Sequence, residues 1–164
     1  MSAHHHAPRR SAAEQHKLEA AIHHLAEDQI AFNRVLGMKM EEFSGPNGTV
    51  CRFDMRADLV GHYIHGRLHG GVTAAVLDAT AGMALMVALG EKYAHESAEQ
   101  VMHRFGKMGT IDMRIDYLRP GLGAYFLAQA MVTRLGGRIG STQMRLLNDQ
   151  GTLIATGAGA YVIA

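Results

Sequence analysis

Residues 68–90 read LHGGVTAAVLDATAGMALMVALG, and this stretch decides the fold. His69-Gly70-Gly71 opens it, and Ala, Leu, Met and Val then lie on every side of about five helical turns. Asp78 is its single charged residue. A helix that is apolar all round is either buried in a larger fold or lies in a membrane. Asp78 and the interspersed glycines and threonines disfavour a spanning segment, so the reading is a helix wrapped by the rest of the chain. A carboxylate in the middle of such a helix needs a partner or a task, because an unpaired buried charge is costly or neutralises itself.

Composition bounds the remainder. The 164 residues suffice for one domain with its own core, and the 48% hydrophobic share is ordinary. A net charge of +1 argues for neither a nucleic-acid nor a membrane partner. The lone Cys51 excludes an internal disulfide and fits a reducing compartment. The stretch MSAHHHAPRR has no apolar run of the kind a signal peptide carries, so a cytoplasmic protein is expected. Eleven methionines suit either gap-filling in a core or a soft wall for a flexible apolar ligand.

Working outward, residues 1–12 read as disordered, and 13–36 as a helical extension. Its apolar positions are Leu18, Ile22, Leu25, Ile30, Phe32 and Val35, broken near Asp28 and ended by Gly37. The main domain spans 37–164. Alternation over Met38–Leu59 around the turn residues 44–48 predicts a hairpin, and Val60–Leu68 a polar loop. Residues 91–109 are a polar, helix-compatible excursion. Strands are then expected at Ile111–Tyr117, Tyr125–Leu135, Ile139–Leu147 and Leu153–Ile163, with Gly136-Gly137 making a tight hairpin. The fold class is α+β: a curved antiparallel sheet wrapped around the long central helix, its other face covered by Ser11–Leu36 or by a second subunit.

Four segments carry a family resemblance: His69-Gly70-Gly71 with Asp78 nine residues after the histidine, Thr110 to Gly121 (TIDMRIDYLRPG), Gly136-Gly137-Arg138, and Asn148 to Ala155. Together they resemble the hotdog-fold acyl-CoA thioesterases, in the phenylacetate-pathway-like branch. Among these the chain is most similar to the medium- and long-chain acyl-CoA thioesterases of proteobacteria. The resemblance implies a hotdog domain over 37–164, no cofactor and no metal, an acyl-CoA substrate, and a homodimer or homotetramer. It implies that Asp78 is the catalytic carboxylate, as general base on water or as nucleophile. It also implies that Thr110 holds the water and that the Gly70 N–H polarises the thioester carbonyl. Where the family has an asparagine in the upstream loop, this chain has His62 and Tyr63, with His62 the preferred substitute.

The residues themselves support that chemistry. Gly70 and Gly71 at a helix start offer N–H groups backed by the positive end of the helix dipole, a ready oxyanion site. Asp78 lies eight residues beyond Gly70, ~12 Å along the axis, too far for both to act on one carbonyl within one helix. Two antiparallel helices related by a two-fold bring one subunit's Asp78 to the other's Gly70, which argues for a dimer. A buried carboxylate capped by Thr80 or Thr110 is the structural alternative. His62, His65 and His69 lack regular presentation and a neighbouring acid, so a metal site is disfavoured, and His69 is read as fixing the loop. Arg119, Arg134 and Arg138 flank turns and suit the phosphates of coenzyme A. Three other readings stand beside this one. An aryl-CoA thioesterase differs only in its acyl group; Met83, Met86, Met102 and Met108 with the small Ala79, Ala81 and Gly82 are expected to line a long flexible slot, which favours a medium or long chain over an aromatic acid. A hydratase needs a helix histidine that is absent after His69. A non-catalytic acyl-CoA-binding protein has no use for Asp78.

Overall fold

Every strand of the main sheet is antiparallel to its neighbours, and one long helix lies in its hollow. In a computed structural model, which describes residues 8–45 and 47–164, the chain begins with α1 (Ala12–His24), a π-helical turn Leu25–Gln29, and α2 (Ala31–Leu36). Then come β1 (Lys39–Gly45), β2 (Gly48–Asp54), β3 (Val60–His62), β4 (Arg67–Leu68) and α3 (Gly70–Lys92). After α4 (Ala98–His103) follow β5 (Gly109–Tyr117), β6 (Tyr125–Leu135), β7 (Ile139–Asn148) and β8 (Leu153–Val162). The six-stranded sheet has the order β1-β2-β6-β7-β8-β5, while β3 and β4 pair only with each other. The loop expected over Val60–Leu68 is therefore a small hairpin: the hydrogen-bond needs of a polar backbone are met by pairing it with itself.

Helix α3 packs chiefly on β6, β7 and β2. Val76, Leu77, Leu85, Met86 and Leu89 are fully buried against Phe126, Ala128, Ala130, Met144 and Leu146, with Phe53 stacked on Phe126 at 5.2 Å. By length and composition α3 could cross a membrane, but here the sheet and the N-terminal helices sheathe it. Closeness matters at Gly140, where a Cβ would stand 2.5 Å from Leu85 Cδ2. The Gly136-Gly137 turn works differently from the expected hairpin, since neither glycine has positive φ. Its constraint is closeness again: a Cβ at Gly136 would lie 2.8 Å from the Ile139 carbonyl oxygen that its own N–H meets.

The N-terminal segment breaks as its sequence suggests. The π-helical turn runs across Asp28, the chain bends at Ile30, and Gly37 closes α2 in the left-handed region at φ 70°. Asn33 secures the break by donating from Nδ2 to the Ala26 carbonyl at 2.9 Å. Where this segment packs differs from one of the two expectations. Helix α1 lies on α4 and α3, and α2 lies on α3, so the extension covers the outer side of the central helix. The convex face of the sheet, with Gln129, Met131, Gln143 and Arg145, lies beyond it. Of residues 1–12, expected to be disordered, 1–7 lie outside the described residues. Arg10 is tied to the end of α3 by hydrogen bonds to the Gly90 and Tyr93 carbonyls.

Gly140→Ala is expected to cost about 1–3 kcal/mol by overpacking against Leu85. Combined with Leu85→Ala it should cost less than the two singles added, by about 0.5–3 kcal/mol, because the second change removes the obstructing methyl. Urea denaturation of the four proteins measures this. Strict additivity would show that the helix–sheet approach is not what requires the glycine.

Candidate active site

The apolar wrapping of α3 is interrupted beside Asp78. Its Oδ1 accepts a hydrogen bond from Thr110 Oγ1 at 2.9 Å and another from the Tyr161 hydroxyl at 3.1 Å. Thr110 comes from β5 and Tyr161 from β8, which are paired strands, and these two residues stand opposite each other in the register. Both donors converge on one carboxylate oxygen. Among the described residues no hydrogen bond reaches Oδ2, and Asp78 lines an open cleft of about 330 Å³.

A β-bulge makes this arrangement. Simple alternation along β5 would put Thr110 on the same face as Asp112, Arg114 and Asp116, away from the helix. The ladder slips between Thr110 and Asp112, leaving Ile111 as the extra residue, 56% exposed. Thr110 is thereby turned to the concave face, where its partner Tyr161 also points. Tyr161 is 2% exposed. Its ring lies back over Gly159, where a Cβ would come within 2.8 Å of it. Burial, together with the charge and hydrogen bond of Asp78, raises the Tyr161 phenol far above the ordinary tyrosine range, so it stays a neutral donor. Sequence reasoning missed Tyr161, 83 residues from Asp78 and without a motif to announce it.

The other expected residues gather at the start of α3. His69 is the N-cap: its Nδ1 accepts from the Gly71 N–H at 2.8 Å, and its own N–H donates to the Leu59 carbonyl. One of the two N–H groups expected to be free is thus already engaged, and Gly70 N–H remains without an acceptor among the described residues. Tyr117, at the far end of β5, donates to the Gly70 carbonyl at 2.9 Å. His62 and Tyr63 occupy the exposed tip of the β3–β4 hairpin, with the His62 ring stacked on His65 at 4.9 Å. None of these residues lines the Asp78 cleft. Arg134, Gly136, Gly137 and Arg138 line a recess of about 350 Å³ at the β6–β7 hairpin. That hairpin sits at the Thr110–Tyr161 end of the sheet, since Gly140 pairs with Tyr161. Arg119 is at the opposite end, donating to the Leu153 carbonyl at 2.9 Å. Among the described residues no group of His, Cys, Asp and Glu has the arrangement to hold a metal ion.

The cleft wall only partly follows the sequence expectation. Met83, Met108, Ala79 and Gly82 line it as expected, whereas Met86 and Ala81 are fully buried core and Met102 packs against that core. Ile30, Phe32 and Asn33 of the N-terminal extension and Phe105 before β5 complete it. A largely apolar cleft that holds a carboxylate with its two hydroxyl partners can take a flexible apolar group and present a polar bond to that carboxylate.

Comparison with known proteins points the same way. A profile described as Thioesterase superfamily matches residues 65–155. The medium/long-chain acyl-CoA thioesterase YigI of Escherichia coli strain K12 is 33% identical over 132 residues, covering 80% of this chain and 84% of that protein. A Shewanella oneidensis protein described as related to the thioesterase superfamily superposes with TM-score 0.85 at 32% identity, over 94% of this chain and all of that one. Zebra fish thioesterase superfamily member 2 gives TM-score 0.66 at 26% identity, over 88% of this chain and 94% of that one.

The raised phenol has a consequence for stability. Below about pH 10 the tyrosine is protonated in both folded and unfolded chains, and its contribution is fully present. As pH rises past that value the unfolded chain loses the proton first, so stability falls progressively toward the higher folded-state value. Tyr161→Phe should remove this alkaline component and flatten the decline above about pH 10, as read by denaturation midpoints at successive pH values. An unchanged alkaline slope would place the Tyr161 hydroxyl in water.

Proposed function

The chain belongs to the thioesterase superfamily and has its hotdog fold, and on that premise we propose that this thioester hydrolase cleaves medium- or long-chain acyl-CoA to the free acid and coenzyme A. The observation that carries the mechanism is the Asp78 carboxylate: one oxygen is held by two hydroxyls, and the other accepts no hydrogen bond among the described residues and faces a largely apolar cleft. In this reading the free oxygen acts as general base. It takes a proton from water as the water oxygen attacks the thioester carbon. Thr110, having donated to Oδ1, keeps lone pairs with which to accept a hydrogen bond from that water. The tetrahedral intermediate places negative charge on the former carbonyl oxygen, and the Gly70 N–H at the positive end of α3 is the donor suited to it. Collapse breaks the C–S bond, and the proton on Asp78 passes to the departing thiolate. Tyr161 holds the carboxylate in position without neutralising it. Support for the acyl group comes from the apolar lining by Ile30, Phe32, Met83, Phe105 and Met108, and from the similarity to a medium/long-chain acyl-CoA thioesterase.

Asp78 and Gly70 sit at different points of one helix, ~12 Å apart along its axis, so the mechanism requires a homodimer. Strand β5 favours one. It is an edge strand of nine residues whose outer side is unpaired among the described residues, with exposed apolar groups at Ile111 and Tyr117 in the strand and Leu118 just after it. Pairing β5 with its two-fold copy extends the sheet and brings the start of α3 in one protomer toward Asp78 of its partner. His62, in place of the family's asparagine, then approaches the same oxyanion from the β3–β4 tip. Arg134 and Arg138 are the candidates for the coenzyme A phosphates, at the site's end of the sheet.

Asp78→Asn should lower kcat by about 10²–10⁴-fold while acyl-CoA still binds, since a base is lost but little contact area. Thr110→Ala should cost less, about ten-fold, the worth of one hydrogen bond to a charged group. Steady-state kinetics on palmitoyl-CoA, with calorimetric binding to the inactive variant, tests both; near-normal kcat in Asp78→Asn removes it from the mechanism. The dimer is checked by light scattering at micromolar concentration, where twice the chain mass is expected and a single-chain mass refutes the shared site.

A further inference from the structure

We propose that the N-terminal segment and the face of α3 beyond Asp78 form the slot for the acyl chain, and that Gly82 sets how deep that slot runs. The proposal rests on the acyl-CoA reading above and names the residues that choose the chain length.

Asp78 and Gly82 are four residues apart on one helix face, with Ala75 and Ala79 beside them, and all four line the cleft. Small side chains on that face leave a groove along the helix. Gly82 has no packing reason to lack a side chain: a Cβ there would meet nothing within 4 Å. At Gly90, in the same helix, a Cβ would stand 3.0 Å from Leu18 Cδ2, so that glycine serves close packing. A glycine in a helix interior is less favourable than alanine, so an unpressed one that faces a cleft marks space that the fold keeps open.

Across the groove stand Ile30 and Phe32 from the N-terminal segment, and Phe105 and Met108 from the stretch before β5. Phe32 leaves 58% of its surface in water at the mouth of the cleft. Asn33, the polar side chain beside them, has its amide committed to the Ala26 carbonyl. Apart from Asn33 and the cluster of Asp78 with its hydroxyl partners Thr110 and Tyr161, the lining is apolar, which fits an unbranched alkyl chain whose thioester rests at Asp78 and whose tail runs past Ala79 and Gly82. The methionine and phenylalanine walls adapt to such a chain without offering it hydrogen bonds.

Each methylene seated in the slot is worth about four-fold in kcat/KM, so in the wild type the value climbs with chain length until the slot is filled. Gly82→Leu fills the far part of the groove. It should make the climb stop earlier, lowering the ratio of dodecanoyl- to hexanoyl-CoA kcat/KM by about ten-fold or more. Phe32→Ala, a change at an exposed position, should lower the same ratio by removing one wall. Neither variant should melt more than a few degrees below wild type, because the side chain introduced by Gly82→Leu enters open space and Phe32 is mostly solvated. Ratios within two-fold of wild type for both variants overturn the proposal. Wild-type protein that turns over no alkyl thioester of any length refutes the proposed activity instead. The slot is then read by calorimetric binding of free hexanoate and dodecanoate to wild type and Gly82→Leu. Loss of the dodecanoate advantage in the variant supports the slot, and an unchanged advantage overturns it.

Discussion

A negative charge half-way along an apolar helix has to be answered from outside the helix, and the way this chain answers it shapes the site. The answer is two neutral hydroxyls, Thr110 and Tyr161, both bonded to the same oxygen of Asp78. A lysine or arginine partner would have fixed the carboxylate as an ion pair and occupied it. Hydroxyls stabilise the anion while leaving its charge and its second oxygen usable. They come from adjacent strands that must be in register to reach the same atom, so the bulge at Ile111 and the β5–β8 pairing are requirements of the site as much as of the sheet.

Much of this was legible in the residues, and what was not has a common cause. The central helix announced itself through its uninterrupted apolar run, and the long strands through alternation and the glycine and asparagine turns between them. Asp78 stood out because it had no business in such a helix. Tyr161 did not, because its meaning comes from a sheet register that pairs it with Thr110, and register is a long-range property. Thr110 was named from a family resemblance. Alternation alone would have turned it to the wrong face, since one inserted residue reverses every side chain on one side of it. The engagement of Gly71 by His69, and the packing of the N-terminal segment over the central helix, were hidden for the same reason: they depend on side-chain direction and on docking.

Helix α3 also separates the proposed chemistry into two stations. Its start offers Gly70 N–H, steadied by His69 as N-cap and by Tyr117 on the Gly70 carbonyl. Its middle offers Asp78. Strand β5 ties both stations together, with Thr110 at its beginning and Tyr117 near its end, so the edge strand that is free to pair with a second copy is the one that touches both ends of the proposed machinery.

The strand order β1-β2-β6-β7-β8-β5 carries a further consequence, for how the chain reaches this state. Strands β2 and β6 are neighbours although the whole of α3, α4 and β5 lies between them in sequence, and the Asp78–Tyr161 bond closes a loop of 83 residues. Loop-closure entropy must be met before such non-local pairings return anything, so they form late and slowly. The hairpin β1–β2 and the meander β6–β7–β8 close short loops, whereas joining β2 to β6 and β5 to β8 closes long ones. The Asp78 carboxylate thus rides on the central helix but meets its hydroxyl partners only when strands distant in sequence close over that helix, so completing the sheet and assembling the site belong to the same non-local step.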